Sequence, residues 1–202
     1  MNEALWYTGR GAGLVTLVLL TVVVVLGVAS RAGRPLPGLP RFATPVLHRN
    51  ASLLAVVLLG VHVGSLLFDP YAQLRLVDLM LPFAGAYRPL WLGLGTLAFD
   101  LVVALVITSL LRSRLGATAW RRIHWAAYAA WPLAVLHGLG TGTDAGTAWL
   151  RAVTAVCVLT VAMAGAYRLL LPDPATGPLG PPAPPGNRDP RLTPLTISGP
   201  PR

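Results

Sequence analysis

His48, His62, His124 and His137 are the only histidines in this 202-residue chain. They form two pairs, fourteen and thirteen residues apart, each inside a long apolar run. A helix rises ~1.5 Å per residue, so the members of either pair would stand roughly 20 Å apart. That is most of a ~30 Å hydrocarbon core. One intramembrane histidine is readily explained by a hydrogen bond between helices. Four, paired at two depths, point to two stacked centres. Two neutral imidazoles on opposite faces of a flat macrocycle complete the coordination of haem iron, giving a site that moves electrons and leaves no position open. Zinc would want three or four donors at one level, with Cys, Asp or Glu completing the set, and none is near. Copper or nickel on two imidazoles alone would be held weakly. Haem b fits best, and two of them.

The elements that must position these residues follow from composition. Hydrophobic residues make up 54% of the chain and charged residues only 11%, against about 25% charged in a soluble domain. All sixteen basic residues are Arg, for a net charge of +9. They cluster in short loops between apolar spans, which fits orientation in a membrane and gives no reason to expect nucleic acid. Cys157 is the single cysteine and sits in an apolar run, so no disulfide framework or thiolate site is expected. The fold class is all-α integral membrane: five transmembrane helices in a haem-binding bundle, with a disordered C-terminal tail. The expected spans are about 11–30, 45–68, 89–111, 119–139 and 148–171, together one domain over 1–171. The first could be mistaken for a signal peptide, but it exceeds a signal h-region and Arg31 and Arg34 follow it. Residues 31–47 form a proline-rich basic loop, and LRLVDLMLPF between the second and third spans reads as a short interfacial piece. The 172–202 tail is too proline-rich to bury a core.

Loop charge sets the orientation. Arg31, Arg34, Arg41 and Arg49 follow the first span, and Arg112, Arg114, Arg121 and Arg122 follow the third. The other connections are balanced or acidic. The positive-inside rule then puts the N-terminus outside and the tail in the cytoplasm, for a multi-pass protein of the cytoplasmic membrane. The second and fourth spans run in the same direction, so His48 and His124 lie near the inner face and His62 and His137 in the outer half. Fourteen residues at ~100° each bring His62 to within ~40° of His48's face; thirteen leave His137 some 140° from His124. Pro132 lies between the latter two and can alter the winding. Arg49, Arg121 and Arg122 flank the inner pair and offer charge to haem propionates, although topology alone also accounts for them. Arg88 could serve the outer haem in the same way. Gly60, Gly64, Gly138 and Gly140 flank the outer pair and would admit a macrocycle or let helices pack. Asp100 is a mid-membrane candidate for proton relay or for an interhelical bond.

The wording LHRNASLLAVVLLGVHVGSLLFDPYA, followed by YRPLWLGLGTLAFDLVVALVITSLLRSRLGATAWRRIHWAAYAAWPLAVLHGLGTG, resembles the ferric reductase-like transmembrane domain, in particular its actinobacterial members. The resemblance covers about residues 6–170, and the His spacing and Arg121–Trp125 segment carry it. It implies an inner haem b on His48 and His124 and an outer one on His62 and His137. The group includes ferric reductases, NADPH oxidases and the haem subunit that feeds a methionine sulfoxide reductase. Full reductases continue into a flavin and NAD(P)H domain; no such motif occurs in this chain. Enzyme status on its own is therefore open, and the expectation is the membrane subunit of an oxidoreductase, in contact with lipid. Its donor would be a separate flavin reductase or a quinol, and its acceptor ferric iron or a periplasmic redox partner. Two other readings compete: a quinol-linked cytochrome b without reductase activity, and a non-catalytic membrane subunit or transporter whose histidines bond between helices.

Overall fold

The computed structural model describes residues 3–32, 40, 42–70, 72, 74–142 and 144–170. The centre of the proline-rich loop and the expected disordered tail, 172–202, lie outside the described residues. Among those described there are eight helices and no strand: α1 (Glu3–Ala32), α2 (Ala43–Leu67), α3 (Leu76–Met80), α4 (Pro89–Leu110), α5 (Arg112–Leu115), α6 (Ala117–His124), α7 (Ala127–Thr141) and α8 (Ala148–Leu170). Four of them, α1, α2, α4 and α8, are long and apolar enough to cross a membrane. The run Thr21–Val25 would favour a strand in water, yet it stays helical in α1. In lipid every backbone group must be satisfied within its own segment, and that requirement outweighs the β-preference.

The helix limits differ from the expected spans in two places. The first span starts at Glu3 rather than near residue 11, because EALWYTGR is compatible with helix and puts an acid in the first turn. The fourth span is not one helix over 119–139. It is α6 and α7, eight and fifteen residues long, separated at Trp125 and Ala126. Around the break, the amides of Trp125, Ala126, Tyr128 and Ala129 bond to carbonyls three residues back. Such tight turns advance ~120° per residue instead of ~100°. Four steps add ~80°, which removes more than half of the ~140° mismatch between His124 and His137. The overwinding sits one turn ahead of Pro132, which has no N–H to give and crowds the carbonyl of Tyr128.

α1 packs along α2, α4 along α7, and α1 also reaches α7 and α8. Side chains pin these contacts. Trp131 Nε1 donates to Thr21 Oγ1 at 2.9 Å, and that hydroxyl donates on to Leu17 O at 2.9 Å. Arg10 forms an ion pair with Asp144, and Arg88 donates to the carbonyl of Gly140. The order of these pairs along α1 and α7 makes the two antiparallel, so α2 and α7 run in the same direction. The LRLVDLMLPF piece forms α3 and folds onto α4: Thr96 Oγ1 donates to Asp78 O at 2.8 Å. Arg75 bonds the Asp78 carboxylate, whose pKa is lowered chiefly by that hydrogen bond. Cys157 is buried, as its apolar setting suggested.

Candidate di-imidazole centres

The structure brings the four histidines together as two facing pairs. The ring centres of His48 and His124 lie 6.3 Å apart, inclined at 66°. Those of His62 and His137 lie 6.4 Å apart, inclined at 77°. Each pair takes one ring from α2 and the other from the end of α6 or from α7. The gap has a chemical meaning. A metal–imidazole bond is about 2 Å, and a ring centre lies about 1 Å behind its nitrogen, so two rings on one metal stand roughly 6 Å apart. Both pairs meet that distance, and neither is close enough for a direct hydrogen bond between nitrogens to be the natural reading.

Tautomers point the same way at three of the four. His62 Nδ1 contacts Gly9 O at 2.6 Å, His48 Nδ1 contacts Val23 O at 3.0 Å, and His137 Nδ1 contacts Trp91 O at 2.9 Å. A carbonyl only accepts, so Nδ1 carries the proton in each ring and Nε2 keeps its lone pair. Donation of the second ring N–H to a backbone carbonyl is the usual outer support of a metal-ligating histidine. His124 differs. Its Nδ1 is buried and has no hydrogen-bond partner among the described residues, and its ring stacks on Trp120 at 4.8 Å. Arg112 in turn lies over Trp120, 4.5 Å from that ring's centre.

A cavity of ≈570 Å³ surrounds the second pair. His62 and His137 line it, with Phe99 and Val102 on one side and Arg10 and Asp144 at one end. That volume lies in the ~300–1,000 Å³ range of cofactor-sized pockets. Among the described residues no group of three or more His, Cys, Asp or Glu could hold a metal ion. The donor set is thus two imidazoles per level, which suits a metal already held in a macrocycle and does not suit zinc.

The accessory residues separate from one another. Arg49, Arg121 and Arg122 are exposed, and their side chains make no hydrogen bond or ion pair with the described residues. They stand on the same side as the first pair by their positions beside His48 and His124. Arg88 is engaged with Gly140, and the charged residues that reach the cavity are Arg10 and its ion-pair partner Asp144. Gly60 and Gly64 face open space, while Gly140 packs against Trp91. Asp100 does not line the cavity. Sequence reasoning missed the three accepting carbonyls and Trp120. Only the Trp120 contact left a signal, an aromatic four residues before His124 and so on the same helix face.

Residues 12–135 match the family model described as "Ferric reductase like transmembrane component". No curated protein and no solved structure matches the chain.

Proposed function

The chain belongs to the ferric reductase-like transmembrane family, and from that premise we propose that it is a di-haem b protein that carries electrons across the cytoplasmic membrane. One observation carries the reading: two imidazole pairs, 6.3 and 6.4 Å between ring centres, at two levels of one bundle. His48 and His124 would hold an inner haem b, and His62 and His137 an outer one. Haem held by these four imidazoles would supply one-electron transfer chemistry. The protein's own residues do the rest. α2 sets the levels fourteen residues, roughly 20 Å, apart. The carbonyls of Gly9, Val23 and Trp91 hold three rings in the tautomer that leaves Nε2 free. Largely apolar walls line the space around His62 and His137.

In this reading the α6–α7 pair acts as one crossing, because His124 and His137 pass between the same two levels as His48 and His62. Five crossings then result, and the arginine-rich connections put the N-terminus outside and the C-terminus in the cytoplasm. Arg49, Arg121 and Arg122, exposed at the inner level, are available to propionates. The donor is a cytoplasmic-side flavoprotein or a quinol, and the acceptor is ferric iron or a periplasmic redox partner. The chain thus serves as the membrane subunit of an oxidoreductase. The test is a reduced-minus-oxidised spectrum of the purified protein with haem counted per chain. A b-type α band and about two haems per chain are expected; a colourless protein, or a single haem kept in both His48→Ala and His62→Ala, refutes the reading.

A further inference from the structure

Three of the four imidazoles are seated by one repeated arrangement. The accepting carbonyls belong to Gly9, Val23 and Trp91. In each case the residue four positions further along the same helix is glycine: Gly13, Gly27 and Gly95. A helical carbonyl already accepts the N–H of that fourth residue, and its second lone pair can take another donor. Access is the difficulty. Every Cα–Cβ bond leans toward the helix N-terminus, so a side chain four residues on lies over the carbonyl. A Cβ on Gly13 would stand 2.8 Å from the His62 ring, and one on Gly27 would stand 3.4 Å from that of His48. One on Gly95 would come closest of all, against His137. By contrast, a Cβ on Gly11, midway between Gly9 and Gly13, would meet nothing within 4 Å.

His124 is the exception: its Nδ1 is buried without a hydrogen-bond partner among the described residues, and its ring stacks on Trp120 instead.

We propose that Gly13, Gly27 and Gly95 are positioning residues that each uncover a backbone carbonyl for an axial imidazole. The outer centre then has two carbonyl-bonded imidazoles and the inner centre has one. The part that concerns iron rests on the di-haem reading; the carbonyl bonds are the chain's own. A carbonyl on the distal N–H raises the basicity of the ligand, which favours ferric iron, so each such bond lowers the potential of its centre.

The full chain in detergent micelles tests this in two states. In haem-free protein, the nitrogen resonances of the imidazoles should show bonded Nδ1–H at His48, His62 and His137. Gly13→Ala should lose the bond at His62 alone, and Gly95→Ala the bond at His137 alone. In haem-loaded protein, the same two variants should abolish the outer low-spin ferric signal and cut haem content to about half. Gly27→Ala, with the looser contact, should keep its haem but change the inner signal, and it stays informative if the tighter variants fail to fold. Gly165→Ala, on α8, where a Cβ meets nothing within 4 Å and which does not line the cavity, should match wild type throughout. Wild-type resonances and potentials in all three glycine variants, or equal damage from Gly165→Ala, would overturn the proposal. A wild-type protein without haem would instead sink the di-haem reading, with the imidazole resonances still deciding the carbonyl bonds.

Discussion

Replacing His62 by alanine tests the outer centre with a predictable size of effect. The side chain makes one hydrogen bond, 2.6 Å to Gly9 O, and offers Nε2 across the gap to His137. Alanine removes both. The lost bond costs about 0.5–1.5 kcal/mol. Little new void forms, because the ring already borders the ≈570 Å³ cavity. Against a total stability of about 5–15 kcal/mol, the fold survives. The ligand loss is the larger effect. The alanine methyl stops short of the iron by an imidazole's length plus a metal–nitrogen bond, roughly 5 Å, too far to coordinate. The outer haem should be lost or become five-coordinate, and the reduced α band should fall by about half while the inner centre remains. Free imidazole should then restore a low-spin spectrum, because the vacated space keeps the Gly9 carbonyl and the gap beside Gly13. Absorption and ferric resonance spectra, with circular dichroism to check helix content, read the result. An undiminished α band in folded His62→Ala protein refutes the assignment, as does loss of both haems at once.

Other outcomes follow from the same geometry. Arg10 and Asp144 form an ion pair at one end of the cavity, so their removal should shift the outer centre in opposite directions. Arg10→Gln lowers its midpoint potential by leaving a carboxylate behind, and Asp144→Asn raises it; a redox titration showing equal shifts counts against this electrostatic account. Deleting Ala126 turns α7 by ~100° relative to His124 and should remove the outer haem alone, whereas deleting Gly146, beyond α7, should spare both; haem counting decides. Arg75 holds the Asp78 carboxyl below its ordinary value. Its contribution to docking α3 is complete above about pH 4 and is lost as pH falls through the lowered folded value. Hydrogen exchange of the α3 amides should therefore quicken only in stronger acid, and Asp78→Asn should show no such step.

Much of this was legible because lipid simplifies the problem. An uninterrupted apolar run must be helical, so α2, α4 and α8 lie within two residues of their expected limits. The pairing of histidines by depth needed only spacing and direction. What the spacing could not give was the winding between His124 and His137. Pro132 marks a weakness there, but the overwound turns form at Trp125–Ala129, where the local sequence carries no breaker. The extension of α1 to Glu3 was hidden by polar residues that suit an interface as well as a helix end. The seating of the rings was harder still. Gly60 and Gly64 stand out beside His62 in sequence, yet the glycines that meet imidazoles belong to neighbouring helices. That information lies in interhelical register, which a single sequence does not display.

Gly13 and Gly27 are fourteen residues apart on α1, as are His48 and His62 on α2, and the two helices are antiparallel. The hairpin therefore works as a pair of matched rulers with two marks each. Sliding one ruler by a helical turn misaligns both marks at once, so the two centres share a single mechanical tolerance. Neither can be shifted along the membrane normal independently of the other. A lineage could retune the chemistry at one level by changing the residues around it, but the distance between levels is fixed by both helices together and would change only through paired insertions.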